Sequence, residues 1–204
     1  MMGDVSSFAF TISLAAVING LGLVRLMTTL AEYVKGRYKL QITHYWLYIL
    51  LLGVQFLMHI LLWWAMFGTR AAGTLNFLQY LYLLIGPVLL YLSTSLLLPD
   101  TDEATYDMRE LYQQLARPYF TVVALFWLWT CFLWKTLVGV FPPPVPFLAA
   151  FVLVAVGARF TTTGKAHPFV VSLYGIMILV FIALYQIELG GIAQDIVNSL
   201  DQQQ

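Results

Sequence analysis

Four polar residues recur along one otherwise apolar stretch, HYWLYILLLGVQFLMHILLWWAMF, which runs from His44 to Phe67: His44, Tyr48, Gln55 and His59. The steps between them are four, seven and four residues. At about 100° per residue these steps return to one helix face. A histidine changes charge near neutral pH. A glutamine one turn away can accept its ring proton or donate to its free nitrogen. The chemistry suggested is binding or relay of a proton, an ion or a small polar solute. The alternative is a neutral histidine that hydrogen-bonds a neighbouring helix for packing.

The stretch is long and apolar enough to cross a bilayer as one helix. Polar side chains in hydrocarbon have no water to bond to, so the stripe is expected to face a bundle interior or a wet cavity. The sequence therefore predicts an all-α, polytopic membrane bundle with this helix at its centre. The whole chain, 1–204, reads as a single integral membrane domain. Only 10% of its residues are charged, against about 25% in a soluble domain. Six spans are predicted, at about 8–30, 44–67, 75–98, 119–138, 147–160 and 168–189. Pro99 to Ala116, PDTDEATYDMRELYQQLA, is predicted to be a short amphipathic helix on the inner surface. Asp100 and Glu103 open it as a capping box, and Arg117-Pro118 begins the next span. Span four, with Trp127, Cys131 and Trp134, reads as a lipid-facing or packing helix.

Counting at about 1.5 Å per residue places Asn19, Gln55, His59 and the Gly86-Pro87 pair near one depth. Pro87 removes the hydrogen bond to the Leu83 carbonyl and predicts a kink. Asn76, Tyr80, Pro87, Tyr91 and Thr94 share a face of span three. The predicted path or site for a solute, ion or proton is Asn19, Gln55, His59, Gly86, Pro87 and Tyr91. At the other level, Arg25, His44, Arg159 and His167 are candidates for an anion or lipid-headgroup contact at the inner face. Snorkelling of the two arginines is the plainer alternative. Arg25 and His44 on one side, and Arg159 and His167 on the other, form a faint internal echo that would amount to a parallel repeat; the plainer alternative is that basic residues, threonines and histidines favour the inner interface.

Orientation follows from charge. With the N-terminus outside, Arg25, Lys35, Arg37, Lys39, Arg109, Arg117, Arg159 and Lys165 lie inside, and only Arg70 and Lys135 lie outside. The expected location is the cell membrane, multi-pass, with both termini outside. The first residues, MMGDVSSF, lack the basic segment of a cleaved signal peptide.

Formal net charge is zero, which gives no sign of nucleic-acid binding. The single cysteine, Cys131, excludes an intramolecular disulfide and a cysteine metal cluster. The acids Asp100, Asp102, Glu103, Asp107 and Glu110 do not follow a calcium-loop pattern. His44 and His59 are about 22 Å apart on a helix, which could suit two haems, but two bis-histidine haems need four histidines and the chain has three. No cofactor and no metal are expected, and no catalytic motif is present. Three function classes fit. A small transporter or channel leads, because polar groups recur at one depth beside a kink. A non-catalytic sensor, scaffold or complex subunit follows, and a redox protein with a single haem comes third. The expected partners are the lipid bilayer, a small solute, ion or proton, and a second copy of the chain as a homo-oligomer.

Overall fold

The computed structural model describes residues 2–34, 45–72, 75–98, 108–162 and 164–187. His44, the Lys35 to Lys39 connector, the Asp100/Glu103 capping box and the tail from Glu188 onward lie outside the described residues.

The described residues form helices α1 (Met2–Val34), α2 (Trp46–Gly68), α3 (Phe77–Leu97), α4 (Met108–Val138), α5 (Val145–Thr161) and α6 (His167–Phe181), with no strand among them. A 3-10 turn, Thr69–Ala72, follows α2, and a π-helical turn, Ile182–Gln186, extends α6. Five of the helices are long and apolar enough to cross a membrane. α5 has 17 residues, about 25 Å at 1.5 Å per residue, against a hydrocarbon core of about 30 Å.

Local chemistry sets the helix ends. Asn76 and Gln79 cap α3 reciprocally: Gln79 N–H donates to Asn76 Oδ1 at 2.9 Å, and Asn76 N–H donates to Gln79 Oε1 at 3.0 Å. α4 stops at Gly139, whose φ of 83° suits glycine, and whose N–H donates to the Lys135 carbonyl at 3.1 Å. Pro146 and Pro168 sit in the first turns of α5 and α6, where a missing N–H costs nothing.

The helices pack in a ring. Contacts run from α1 to α3, α4, α5, α6 and α2, then back to α1, and α2 also meets α3 and α4. Side chains at the ends fix the directions. Arg25, late in α1, donates to Ser95, late in α3, at 3.2 Å. Tyr48, early in α2, donates to the Leu97 carbonyl at 2.9 Å. Arg117, early in α4, donates to Thr162 beyond α5 at 3.1 Å. These contacts gather at one end, here the basic end. At the opposite end Gln79, early in α3, reaches the Thr136 and Leu137 carbonyls at 3.3 and 3.4 Å. Helices consecutive in the chain therefore alternate in direction, while the ring neighbours α1 and α3, and α2 and α6, run parallel; the start of α1 and the end of α6 share the end opposite the basic one.

The outer surface is apolar. Phe10, Leu14, Val17, Leu21 and Val24 make one exposed ridge along α1, and Leu81, Ile85, Val88 and Leu92 make another along α3. Such ridges suit hydrocarbon, where an apolar surface carries no penalty. The exposed Trp46 and Trp63 lie near the two ends of α2, as interfacial aromatics do.

One expectation changes. Residues 108–116 are helical as predicted, but they are the first turns of α4 and not a separate surface helix, because α4 continues through Pro118. The physical reason is burial on both sides of the proline. Tyr112 and Ala116 before it, and Tyr119 and Phe120 after it, all enter the same core. That keeps the helix continuous despite the lost hydrogen bond. Of the two readings of span four, packing holds for Trp127, Cys131 and Trp134, which are buried, while Leu125, Leu128 and Phe132 make the exposed apolar face of α4; Trp127 stacks flat on Phe151 of α5 at 4.0 Å and 7°.

Candidate functional site: a polar cluster joining four helices

The cluster is built on the His59 ring. Asn19 of α1 donates from Nδ2 to the His59 carbonyl at 3.1 Å, which turns its Oδ1 toward His59 Nδ1 at 2.7 Å. Amide oxygen only accepts, so Nδ1 carries the ring proton, a tautomer assigned from the bonding pattern. Nε2 then accepts from the Thr94 hydroxyl of α3 at 2.7 Å.

Gln55, one turn before His59, joins α3 and α4. Its Nε2 lies 2.7 Å from Ser93 Oγ and 2.9 Å from Thr94 Oγ1, one acceptor for each of its two hydrogens. Its Oε1 accepts from the Tyr119 hydroxyl of α4 at 3.0 Å. Ser93 in turn donates to the Leu90 carbonyl at 2.8 Å. Asn19, Gln55, His59, Ser93, Thr94 and Tyr119 are each at most 3% exposed. Gly22 explains how α1 comes so close. A Cβ there would run into the His59 imidazole, so only glycine allows the ring to lie against the α1 backbone.

Of the residues predicted for a path, the structure brings Asn19, Gln55 and His59 together. Gly86, Pro87 and Tyr91 are not in the cluster. Gly86 is the seat of the Trp129 indole, which a Cβ at Gly86 would strike. Trp129 Nε1 donates to the Tyr82 carbonyl at 2.8 Å. The Gly86-Pro87 segment thus packs against α4, and Tyr91 is half-buried beside it on α3. Sequence reasoning did not assign Gly22, Ser93 or Tyr119. Thr94 was placed on the polar face of span three, which was the one usable signal. Serine and threonine in helices commonly bond their own preceding turn, so Ser93 carries little information by itself.

A second chain of bonds crosses the core. Trp127 Nε1 donates to the Tyr174 hydroxyl at 3.0 Å, and that hydroxyl donates to Met58 Sδ at 3.0 Å. It ties α4, α6 and α2 one residue away from His59.

At the basic end, the candidate anion contacts have separate partners. Arg25 is tied to α3 through Ser95. His167 is buried, with Nε2 2.6 Å from the Tyr112 hydroxyl and Nδ1 3.3 Å from Thr161 Oγ1. Thr161 donates to the Gly157 carbonyl at 2.9 Å, so it accepts from Nδ1–H, and Tyr112 donates to Nε2. Arg159 is exposed, with its guanidinium 5.5 Å from the Phe160 ring. At the opposite end Lys135 donates to the Gly139 carbonyl at 2.8 Å. Among the described residues, no three His, Cys, Asp or Glu side chains gather as a metal site.

Compared with protein-family models, with curated proteins and with solved structures, the chain finds no match in any of the three.

Proposed function

We propose that the chain is a six-span membrane protein acting as a non-catalytic module, a sensor, scaffold or subunit of a membrane complex, in which the His59 cluster holds helices together. One observation carries this reading. Both His59 ring nitrogens, the Gln55 amide and the Tyr119 hydroxyl are already bonded to side chains of neighbouring helices. A solute site keeps polar groups for what it binds. Here the partners are α1, α2, α3 and α4 themselves, the arrangement by which Asn, Gln, Ser, Thr and His associate helices in membranes. Transport, the leading class from sequence alone, therefore loses ground to the module.

Transport linked to a proton is the second reading, and a specific contact favours it. Thr94 Oγ1 lies 2.9 Å from the Leu90 carbonyl as well as 2.7 Å from His59 Nε2. A protonated ring donates from both nitrogens, to Asn19 and to Thr94, and the Thr94 hydroxyl then turns to Leu90. Bonding is complete in either state after one hydroxyl rotation. The charged state has no carboxylate partner within the cluster, which consists of Asn, Gln, His, Ser, Thr and Tyr.

The haem reading has the least support, because the ring nitrogens of His59 and His167 are engaged by protein groups. For orientation, Arg25, Arg109, Arg117, Arg159 and Lys165 belong to the basic end, and Arg70 and Lys135 to the other. This supports a cytoplasmic basic end with both termini outside.

The test is flux into liposomes holding purified protein, with a pH gradient imposed. The module reading expects no proton or solute flux above protein-free liposomes. A flux that His59→Gln abolishes, in a protein still folded and inserted, would replace it with proton-linked transport. An absorption spectrum of the same preparation decides haem.

A further inference from the structure

Away from the His59 cluster, a cavity of about 70 Å³ lies between the later half of α2, the later half of α4, the start of α5 and the π-helical turn after α6. Met58, Leu62, Phe126, Trp127, Leu133 and Phe181 supply much of its wall. These walls are held apart. Trp127 is stacked on Phe151, bonded through its N–H to Tyr174 and edge-on to Phe181 at 6.1 Å. Pro142 and Pro144 close one side. Rigid rings and prolines have few ways to move inward and fill the space.

The rim reaches the surface. Ala65 is exposed, and Leu61 and Gln186 are half-buried. The exposed residues of α2 and of the π-helical turn are apolar, with Ile60 next to Leu61 in sequence, and Leu184 and Ile187 on either side of Gln186. The π-helical turn places Gln186 at this rim, and such turns are frequent at functional sites. Polar partners inside are few. The Thr130 hydroxyl donates to the Phe126 carbonyl at 2.9 Å, and the Trp127 and Trp129 indole N–H groups are bonded to Tyr174 and Tyr82, which leaves the polar groups of Trp134 and Gln186.

We propose that this cavity receives the last few carbons of a membrane lipid's hydrocarbon chain, about what 70 Å³ holds, entering from the side between α2 and the π-helical turn. The wall offers an apolar occupant burial and offers a small polar solute almost nothing to bond. The rim opens on the apolar surface of helices that span the membrane, where lipid chains are the surrounding fluid. The occupant would touch Met58 and Trp127, the two ends of the bonded chain through Tyr174. The inference needs the helices to be membrane spans. It holds whether the chain is a module or a transporter.

The experiment is tryptophan quenching by a phospholipid with brominated acyl chains. The chain has six tryptophans. Replacing Trp46, Trp63 and Trp64 by Phe leaves Trp127, Trp129 and Trp134, all of which line the cavity. This variant in detergent micelles is titrated with the brominated lipid. The proposal expects saturable loss of most of the remaining fluorescence, reversed by the unbrominated lipid. It also expects Ala65→Phe or Leu61→Phe, made separately at the rim so that either can serve if the other fails to fold, to remove most of that loss. Quenching that rises in proportion to lipid content without saturating, or that persists when the rim is filled, marks contact with surrounding lipid only and overturns the proposal.

Discussion

Replacing Gln55 by Leu tests the cluster at its hub. The side chain makes bonds to Ser93, Thr94 and Tyr119 on two other helices. Interhelical hydrogen bonds in membranes average about 0.6 kcal/mol each, so the three together contribute roughly 2 kcal/mol. The loss is uneven. Ser93 and Thr94 keep acceptors at the Leu90 carbonyl and His59, whereas the Tyr119 hydroxyl, on a side chain 0% exposed, is left without a partner. An orphaned buried hydroxyl costs about 1–3 kcal/mol. Gln55→Leu should therefore destabilise by roughly 3–5 kcal/mol, and Tyr119→Phe alone by roughly 2–4 kcal/mol, one bond plus the buried Gln55 Oε1 left without its donor. The double variant has no orphan and should lie near 2 kcal/mol, less destabilised than Gln55→Leu alone. Reversible unfolding in mixed micelles, followed by circular dichroism, measures all three. Strict additivity of the two single changes would refute the claim that Tyr119 depends on Gln55.

Two further predictions concern packing and orientation. Gly22→Ala should destabilise by about 1–3 kcal/mol, because its Cβ meets an imidazole held at both nitrogens. Gly20→Ala and Gly53→Ala, which meet nothing within 4 Å, should cost nothing in the same unfolding assay. For orientation, Cys131→Ala with Lys135→Cys should react with an impermeant thiol reagent added outside intact cells, and Cys131→Ala with Lys165→Cys should not. The reverse pattern would invert the topology.

Much of the fold is legible because hydrocarbon leaves so few alternatives: an apolar run of about twenty residues has to be a helix. The boundary at Arg117-Pro118 misleads for an equally physical reason. Proline is a strong local signal for a break, while the burial that carries α4 past it comes from Tyr112, Tyr119 and Phe120 meeting other helices, which no local pattern records. In the site, Asn19, Gln55 and His59 are legible as expensive polar groups at one depth. Their partners are less so. Thr94 shares a face with Pro87 and Tyr91, yet only Thr94 turns into the cluster, since Trp129 fills the space against Gly86. Gly22 is one of fourteen glycines, and its role appears only when the ring of another helix is placed against it.

The central claim is that the polar groups around His59 are closed on one another and do not line a water path. The most direct measurement is the accessibility of a cysteine at Ser93, 1% exposed and bonded to Gln55, in a Cys131→Ala background. Ser93→Cys changes one atom and keeps the side chain's size close to the original. The account predicts no reaction of this thiol with a charged, water-soluble reagent applied from either side of the membrane, and full reaction after unfolding in detergent. Labelling of the folded protein from either side would contradict it and return the cluster to the role of a solute path.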